Sequence, residues 1–492
     1  MMSPETPAWV SDAVFYQIFP DRFARSSKVP KPSNLEPWDS TPTKHGFKGG
    51  DLLGVAEHLD YLQDLGVTAI YFNPIFQSTA NHRYHTYDYY QVDPMLGGNG
   101  ALRTLVDRAH QRNIRVILDG VFNHASRGFF QFNHIAENGP ASPYADWFIV
   151  KDYPLRPYHA AKGQQGYEAW WDLPALPKLN VSTPAVRDFL WDVACHWLEF
   201  GVDGWRLDVP GDIDDDDFWR EFRRRVKGIN PEAYIVGEIW HDARRWLQGD
   251  QFDAVMNYLF TRACLGFFVA GNIHSEQVAR SGYEYIEALD AGQFASEMAR
   301  VLALYPRSVN ELQYNLLGSH DTPRFKTLSR GDNSAYRLAT LFQMTFPGAP
   351  SIYYGDEIGM EGQHDPGCRG GFPWDEQQWD RGLRDYIQKC IALRHDHPAL
   401  RQGDLFWLFA DEGVVAYARQ LGAETLVVVL NSNRQPVTLS LPVASHLADG
   451  ARLQDVWGDA TLRVAQGEIP GIHAPARSGR VLRVAGTARN NA

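Results

Sequence analysis

Short runs of β-branched and aromatic residues alternate with amphipathic, helix-like stretches through most of the chain. The strand-like runs are VTAIYF (67–72), IRVILD (114–119), DGWRLD (203–208), AYIVGE (233–238), FDAVMN (252–257) and APSIYYG (349–355), with weaker ones at AVFYQIF (13–19) and ELQYNLLG (311–318). Helical spacing fills LLGVAEHLDYLQDLG (52–66), ALRTLVDRAHQR (101–112) and TPAVRDFLWDVACHWLEFG (183–201). Strands that are apolar on both faces and separated by helices imply parallel βαβ units. Their number is enough for an eight-fold barrel, although counting strands does not by itself separate a barrel from a doubly wound sheet.

Two stretches break this rhythm. Residues 125–181 are rich in Gly, Pro and aromatics without clear periodicity, which predicts a functional excursion or a small inserted domain. Beyond about 402, LFWLFADEGVVAYARQL, ETLVVVLNSN, PVTLSLP and GRVLRVAG read as short alternating strands, an all-β C-terminal domain of sandwich type. The charged segment GDIDDDDFWREFRRRVKG (211–228) is expected to be a helix rather than a metal motif. Asp214 to Asp217 occupy its first turn, Arg223 to Lys227 its last, and Gly228 ends it, as the helix dipole prefers.

Composition narrows the class. Of 492 residues, 44% are hydrophobic and 22% charged, the balance of an ordinary globular protein. Lys and Arg number 47 against 59 Asp and Glu, a net charge of -12, and no basic groove stands out against that field, so no nucleic-acid partner is expected. Aromatics at 13% suit ligands with flat apolar faces, sugars among them, and suit a large core equally well. Cys195, Cys264, Cys368 and Cys390 form no short metal-binding spacing; reduced cytosolic thiols are the simpler reading and a structural bridge the other. The N-terminus has neither a basic nor an apolar leader region, and no run has the length of a membrane span, so a cytoplasmic protein without a membrane partner is expected.

The candidate chemistry sits at the strand ends. Asp119 closes IRVILD, Asp208 closes DGWRLD, Glu238 closes AYIVGE, and Asp321 follows ELQYNLLGSH. In a parallel barrel all strand C-termini open on one face, so the four acids are expected to converge. Any one of them is unremarkable as a strand end or helix cap; four together are not. Arg206, two residues before Asp208, points the same way along the strand and is expected to keep that carboxylate ionised. His124, His320, His82 and Tyr84 add donors and an aromatic face near the same ends. No serine elbow, phosphate loop or H-E-x-x-H motif competes for the site. Paired carboxylates with His, Tyr and Trp but no cofactor motif fit glycoside chemistry, one acid attacking the anomeric carbon and the other protonating the leaving oxygen.

These motifs support a family resemblance. DGVFNH (119–124), GWRLDV (204–209), VGEIWHDA (236–243) and GSHDTPR (318–324) resemble, in order, the four signature regions of the α-amylase family of glycoside hydrolases. LPKLN (176–180) and GAPSIYYGDEIG (348–359) resemble its accessory regions, and QFDAVMNY (251–258) with DPGCRGGFPWD (365–375) resembles the cyclomaltodextrinase, neopullulanase and maltogenic amylase group. The resemblance implies a (β/α)8 TIM barrel over 1–124 and 182–401, a small domain inserted after the third strand at 125–181, and a β-sandwich at 402–492. It implies Asp208 as nucleophile, Glu238 as general acid and then base, and Asp321 as the residue holding sugar hydroxyls. Arg206 would support Asp208. His124 and His320 would donate hydrogen bonds to the sugar in the cleaving subsite, Tyr84 would stack beneath it, His82 would sit close by, and Trp240 would line the leaving-group side. Asp119 matches a chiefly structural position near Arg206. Asp365 and Arg369 match positions contacting a sugar further from the cut, with a surface salt bridge as the other reading, and Trp374 is open between core and platform.

Departures from the group bear on substrate choice. Its N-terminal β-sandwich is expected to be absent, because the first barrel strand begins almost at once, which leaves the oligomeric state open and points to a more open cleft. VPGD (209–212) lacks the Lys-His pair of starch-degrading α-amylases, and His85 stands where the group often has Asp. No cofactor is required. Asn123 matches a calcium ligand of typical α-amylases, but ARSSKVPKPSN (24–34) is poor in oxygen ligands and no calcium or other metal site is predicted. The reading is a retaining hydrolase of α-1,4-glucosidic bonds in maltooligosaccharides, cyclodextrins, pullulan or starch, with some α-1,6 tolerance. The alternatives are a transglycosylase or α-glucosidase of the same family, or a non-catalytic transporter-ancillary relative. The last is disfavoured because Asp208, Glu238 and Asp321 are all kept.

Overall fold

The computed structural model describes residues 6–158 and 160–485; expectations that touch residues 1–5, 159 and 486–492 lie outside them. All eight strand-like runs form strands: β1 Phe15–Ile18, β2 Ala69–Phe72, β3 Arg115–Gly120, β4 Gly204–Leu207, β5 Tyr234–Gly237, β6 Ala254–Val255, β7 Tyr314–Leu316 and β8 Ala349–Tyr353. The chain divides into two compact units, Met1–Met256 with Arg369–Trp374, and Asn257–Cys368 with Asp375–Ala492. In the first, β1, β2, β3, β4, β5 and β6 pair in that spatial order, every neighbour parallel. In the second, β7 and β8 pair in parallel. Eight short parallel strands with helices between them, followed by an all-β C-terminal domain, are the fold class expected of the sequence.

The helices follow the periodicity, with local corrections. Residues 52–66 form two helices, α1 Leu52–Glu57 and α2 Leu59–Leu65, because His58 leaves helical geometry between them. Then come α3 Gly98–His110, α4 Pro184–Phe200 and α5 Asp216–Ile229. In α5 the cap is Asp215, whose side chain accepts from Phe218 N, and Gly228 lies inside the helix, which ends against Asn230. Within the basic run Arg224 is exposed, whereas Arg223 and Lys227 turn inward. Arg223 is buried, with Nη1 2.7 Å from Asp253 Oδ1, and Lys227 Nζ is 3.0 Å from Asp253 Oδ2.

Strand alternation sorts side chains between layers. On β4, Trp205 faces the helices: it packs 5.5 Å from Phe122 and 6.4 Å from Phe76, and its Nε1 donates to Ala194 O of α4. Arg206 therefore faces the opposite way. Gly204 is obligatory, since a Cβ there would stand 2.2 Å from the Tyr234 carbonyl oxygen. The insert is not wholly irregular. A helix, Phe130–Asn138, packs Phe132 edge-on to Phe148 and Tyr167 at 5.0 and 4.8 Å. Isolated bridges His124 to Lys178, Phe148 to Leu179 and Ala169 to Pro177 lay LPKLN alongside the end of DGVFNH.

In the second unit α6 Tyr258–Cys264, α7 Ala291–Ala303, α8 Asn333–Thr345 and α9 Arg381–Asp396 precede the C-terminal strands. Those are β9 Asp404–Asp411, β10 Val414–Leu421, β11 Glu424–Asn431, β12 Val437–Pro442, β13 Arg452–Asp455, β14 Thr461–Arg463, β15 Glu468–Ala474 and β16 Ser478–Val484. A six-stranded antiparallel sheet, ordered β9-β10-β11-β16-β13-β14, and a β12–β15 ribbon share a core of Val414, Val427, Val429, Leu441, Ile469 and Ile472. The other face of β10 turns Tyr417 toward Phe342 of α8.

Candidate active site

Register brings three of the four predicted acids together. Asp119 lies opposite Arg206 across β3 and β4, and the ladder runs one residue past the strand ends: Asp208 N donates to Gly120 O, and Glu238 N to Leu207 O, each at 3.0 Å. The backbones of Asp208 and Glu238 are thus fixed by main-chain bonds rather than carried on a mobile loop. Val209, immediately after Asp208, has φ 36° and ψ 49°, a strained left-handed conformation for a β-branched residue. That turn aims its N–H at Glu238 Oε2, 3.2 Å away.

Arg206, 1% exposed, is the hub. Its Nη1 donates to Asp119 Oδ1 and to Asp208 Oδ1, both at 2.9 Å, and its Nη2 makes a 2.8 Å ion-pair contact with Glu238 Oε2. Asp119 is held further by the hydroxyls of Tyr71 at 2.6 Å and Tyr84 at 2.9 Å, while Asn73 Nδ2 donates to Tyr84 Oη at 3.1 Å. Glu238 Oε1 accepts from Trp240 Nε1 at 3.0 Å. Tyr71, Asn73 and Trp170 are site residues that motif reading passes over. For the first two a signal is present, a Tyr and an Asn two apart on one face of the otherwise apolar VTAIYFN.

The sequence predicts that Arg206 keeps Asp208 ionised; the structure modifies this. Burial lifts the Asp208 carboxyl well above the usual range, and the neighbouring Glu238 and Asp119 charges add to it, while Arg206 pulls it down. Burial also raises Asp119, against Arg206 and its two tyrosine donors. One guanidinium faces three buried carboxylates, so Arg206 only partly offsets the burial that raises Asp208.

Burial holds His82, His85 and His124 below the ordinary imidazole range. Burial takes His124 down to about 3, with the His85 charge adding and the Tyr84 carbonyl opposing, and takes His85 down to about 4. His82 is pushed well below the usual imidazole range by burial and by His85, Arg369, Arg83 and His124. Its Nδ1 accepts from Tyr84 N, which leaves the proton on Nε2. His124 is stacked 5.1 Å from Trp170, and its buried Nε2 has no aligned hydrogen-bond partner. Arg369 is buried, its guanidinium 5.4 Å from the Phe19 ring. Trp374 is a packing residue among Phe23, Tyr61 and Phe372, with Nε1 bonded to Phe23 O.

Asp321, His320 and Asp365 belong to the second unit. Asp321 follows β7 in a turn where Ser319 Oγ accepts from its N–H, and His320 Nε2 is 3.1 Å from Asp321 Oδ2. Arg324 of the same motif is buried on Asp356 Oδ1 at 2.6 Å and Tyr354 O at 2.7 Å, anchoring the turn to the end of β8. Asp365 is exposed. Asn123 Oδ1 is buried without a hydrogen-bond partner, and among the described residues no three His, Cys, Asp or Glu side chains gather at one place.

Comparison with known proteins agrees with this geometry. Residues 17–403 match the α-amylase catalytic domain and residues 406–482 the neopullulanase-like C-terminal domain. A cyclomaltodextrinase of Geobacillus thermopakistaniensis is 46% identical over 443 residues, 89% of this chain and 72% of that protein. The crystal structure of Ttha1563 from Thermus thermophilus superposes with a TM-score of 0.94 at 50% identity, covering 97% of this chain and 100% of that one. The native debranching enzyme of Nostoc punctiforme gives 0.90 at 48%, covering 99% of this chain and 100% of that one. The motifs in order, the strand-end carboxylates on one buried arginine and the match over most of the chain make this protein a member of the α-amylase family, a glycosidase of the cyclomaltodextrinase and neopullulanase kind.

Proposed function

We propose that the chain hydrolyses α-1,4-glucosidic bonds of maltooligosaccharides, cyclodextrins and pullulan-type glucans with retention, and cuts some α-1,6 bonds. The observation that carries this is the single guanidinium shared by Asp208 and Glu238 on its two terminal nitrogens. It supports the closer carboxyl spacing, about 5–5.5 Å, of retaining enzymes over the wider inverting one. Asp208 attacks the anomeric carbon while Glu238 gives its proton to the departing oxygen. Water then loses a proton to Glu238 and displaces Asp208. Asp321 holds sugar hydroxyls and favours the flattened ring, with His124 and His320 donating to the same sugar, His82 close by, Tyr84 beneath it, and Asp365 and Arg369 at a further sugar. The unpartnered His124 Nε2 supports a donor role.

Names of relatives support the substrate range: cyclomaltodextrinase for α-1,4 rings, debranching enzyme for α-1,6 branches. The three-part division at 124/125, 181/182 and 401/402, the absence of a metal requirement and an α-glucan as sole partner complete the proposal. A cytoplasmic setting is supported by four free cysteines and by the lack, among the described residues, of a helix long and apolar enough to cross a membrane. A product time course on β-cyclodextrin, pullulan and maltotriose, beside Asp208→Asn and Glu238→Gln, tests the reading. Ring opening to maltose and glucose that is lost in both variants supports it; full activity of Asp208→Asn overturns it.

A further inference from the structure

Eight large hydrophobic side chains stand exposed among the described residues, and five of them, Phe130, Tyr153, Tyr158, Trp171 and Leu173, lie in the insert. Trp171 is the most exposed, at 69%. Its backbone is left-handed, φ 51° and ψ 27°, and that of Asp172 follows at φ 56°. Two successive non-glycine residues in that region are held there at a cost, and holding a Trp in water by such means points to use.

The indole is also not loose. Trp171 stacks on Trp170 at 4.4 Å and 11°, and Trp170 stacks on His124 at 5.1 Å and 19°. Both neighbours of Trp170 are rings, so the open face belongs to Trp171. The result is a three-ring ladder from a buried site histidine to solvent. Its position is fixed from below: Trp170 Nε1 donates to Asp212 Oδ2 and Lys178 Nζ to Asp212 O, both at 2.9 Å. Asp212 ends the turn that opens at Val209, whose N–H holds Glu238 Oε2. The ladder is therefore tied to the side of the site where Glu238 meets the leaving oxygen.

We propose that Trp171 is a stacking platform for a glucose unit on the leaving-group side. It would lengthen the reach of the site along an α-glucan and seat an acceptor sugar once the covalent intermediate has formed. This rests on the glycosidase reading above. In transfer, the acceptor hydroxyl bonds to the anomeric carbon, the bond to Asp208 breaks, and the hydroxyl proton passes to Glu238. An indole offers a rigid apolar face at small conformational cost, suited to the apolar face of a pyranose.

The test compares wild type, Trp171→Ala and Trp171→Tyr on maltotriose and maltoheptaose, with the transfer-to-hydrolysis ratio measured in added maltose. Losing one stacked ring corresponds to about a tenfold change in affinity. Trp171→Ala should raise KM for maltoheptaose by about that factor and lower the transfer ratio, with a much smaller change for maltotriose, and Trp171→Tyr should recover most of both. Equal changes for both substrates with an unmoved transfer ratio, or no change at all, overturn the platform. Wild type that cleaves no α-glucan overturns the glycosidase reading instead. The platform is then judged by calorimetric binding of maltoheptaose to wild type and Trp171→Ala, where equal affinity, or no binding to either, counts against it.

Discussion

Replacing Arg206 by Met keeps the length of the side chain and removes the one cation that three buried carboxyls share. The contacts at stake are 2.9 Å to Asp119, 2.9 Å to Asp208 and 2.8 Å to Glu238. At an effective dielectric of about 20 each contact is worth roughly 5–6 kcal/mol of Coulomb energy, most of which offsets desolvation. Breaking such a buried network is expected to cost about 3–5 kcal/mol net. The sign with pH follows from the carboxyls. Burial already holds Asp208 and Asp119 above their unfolded values, and both rise further without Arg206, which pulls each of them down. A raised folded pKa gives stability that is present below the unfolded value and lost as pH rises through the folded one. The deficit of Arg206→Met against wild type should therefore be largest at about pH 7–8 and shrink toward about pH 5. Urea denaturation followed by tryptophan fluorescence at the two pH values measures it. A deficit that does not change with pH, or that grows on acidification, would refute the reasoning.

Other variants probe separate links. Glu238→Gln removes a charge that raises Asp208, so the acidic limb of its residual activity on maltosyl fluoride, which needs no proton donor, should move to lower pH; an unmoved limb counts against the coupling. Asp208→Asn relieves one buried carboxylate and should gain about 1–2 kcal/mol at neutral pH while losing activity, the gain fading on acidification; a loss of stability in calorimetry would contradict this. Asp253→Asn unpairs Arg223 and Lys227 at the foot of α5 and should cost about 3 kcal/mol in denaturant with kcat of the folded enzyme retained; a fall in kcat without a fall in stability would show that this pair serves the site.

What the sequence discloses depends on whether a residue acts through local pattern or through a distant partner. The eight strands are legible because their runs are apolar on both faces, and Asp119, Asp208 and Glu238 because each closes such a run. Arg223 reads as one more basic residue of a helix's last turn until Asp253 of another segment is seen to meet it. Strands β13, β14 and β15 escape the alternation reading because charged, Gly and Pro residues interrupt their apolar positions, as in EIPGIHA. The helix at Phe130–Asn138 presents only Phe132 and Ile135 as buried positions, too few for a period. Trp170 and Trp171 resemble core aromatics in sequence. The bond that holds the Trp170 indole comes from Asp212, beyond β4.

The central claim is that Asp208 forms a covalent bond to the sugar. Incubating the protein with a fluorinated maltosyl fluoride that is slow to hydrolyse, followed by peptide mass spectrometry, tests it directly. The account predicts one glycosyl adduct on the peptide carrying Asp208, absent in Asp208→Asn, with product of retained anomeric configuration. An adduct on another carboxylate, or inverted product without any adduct, would contradict it.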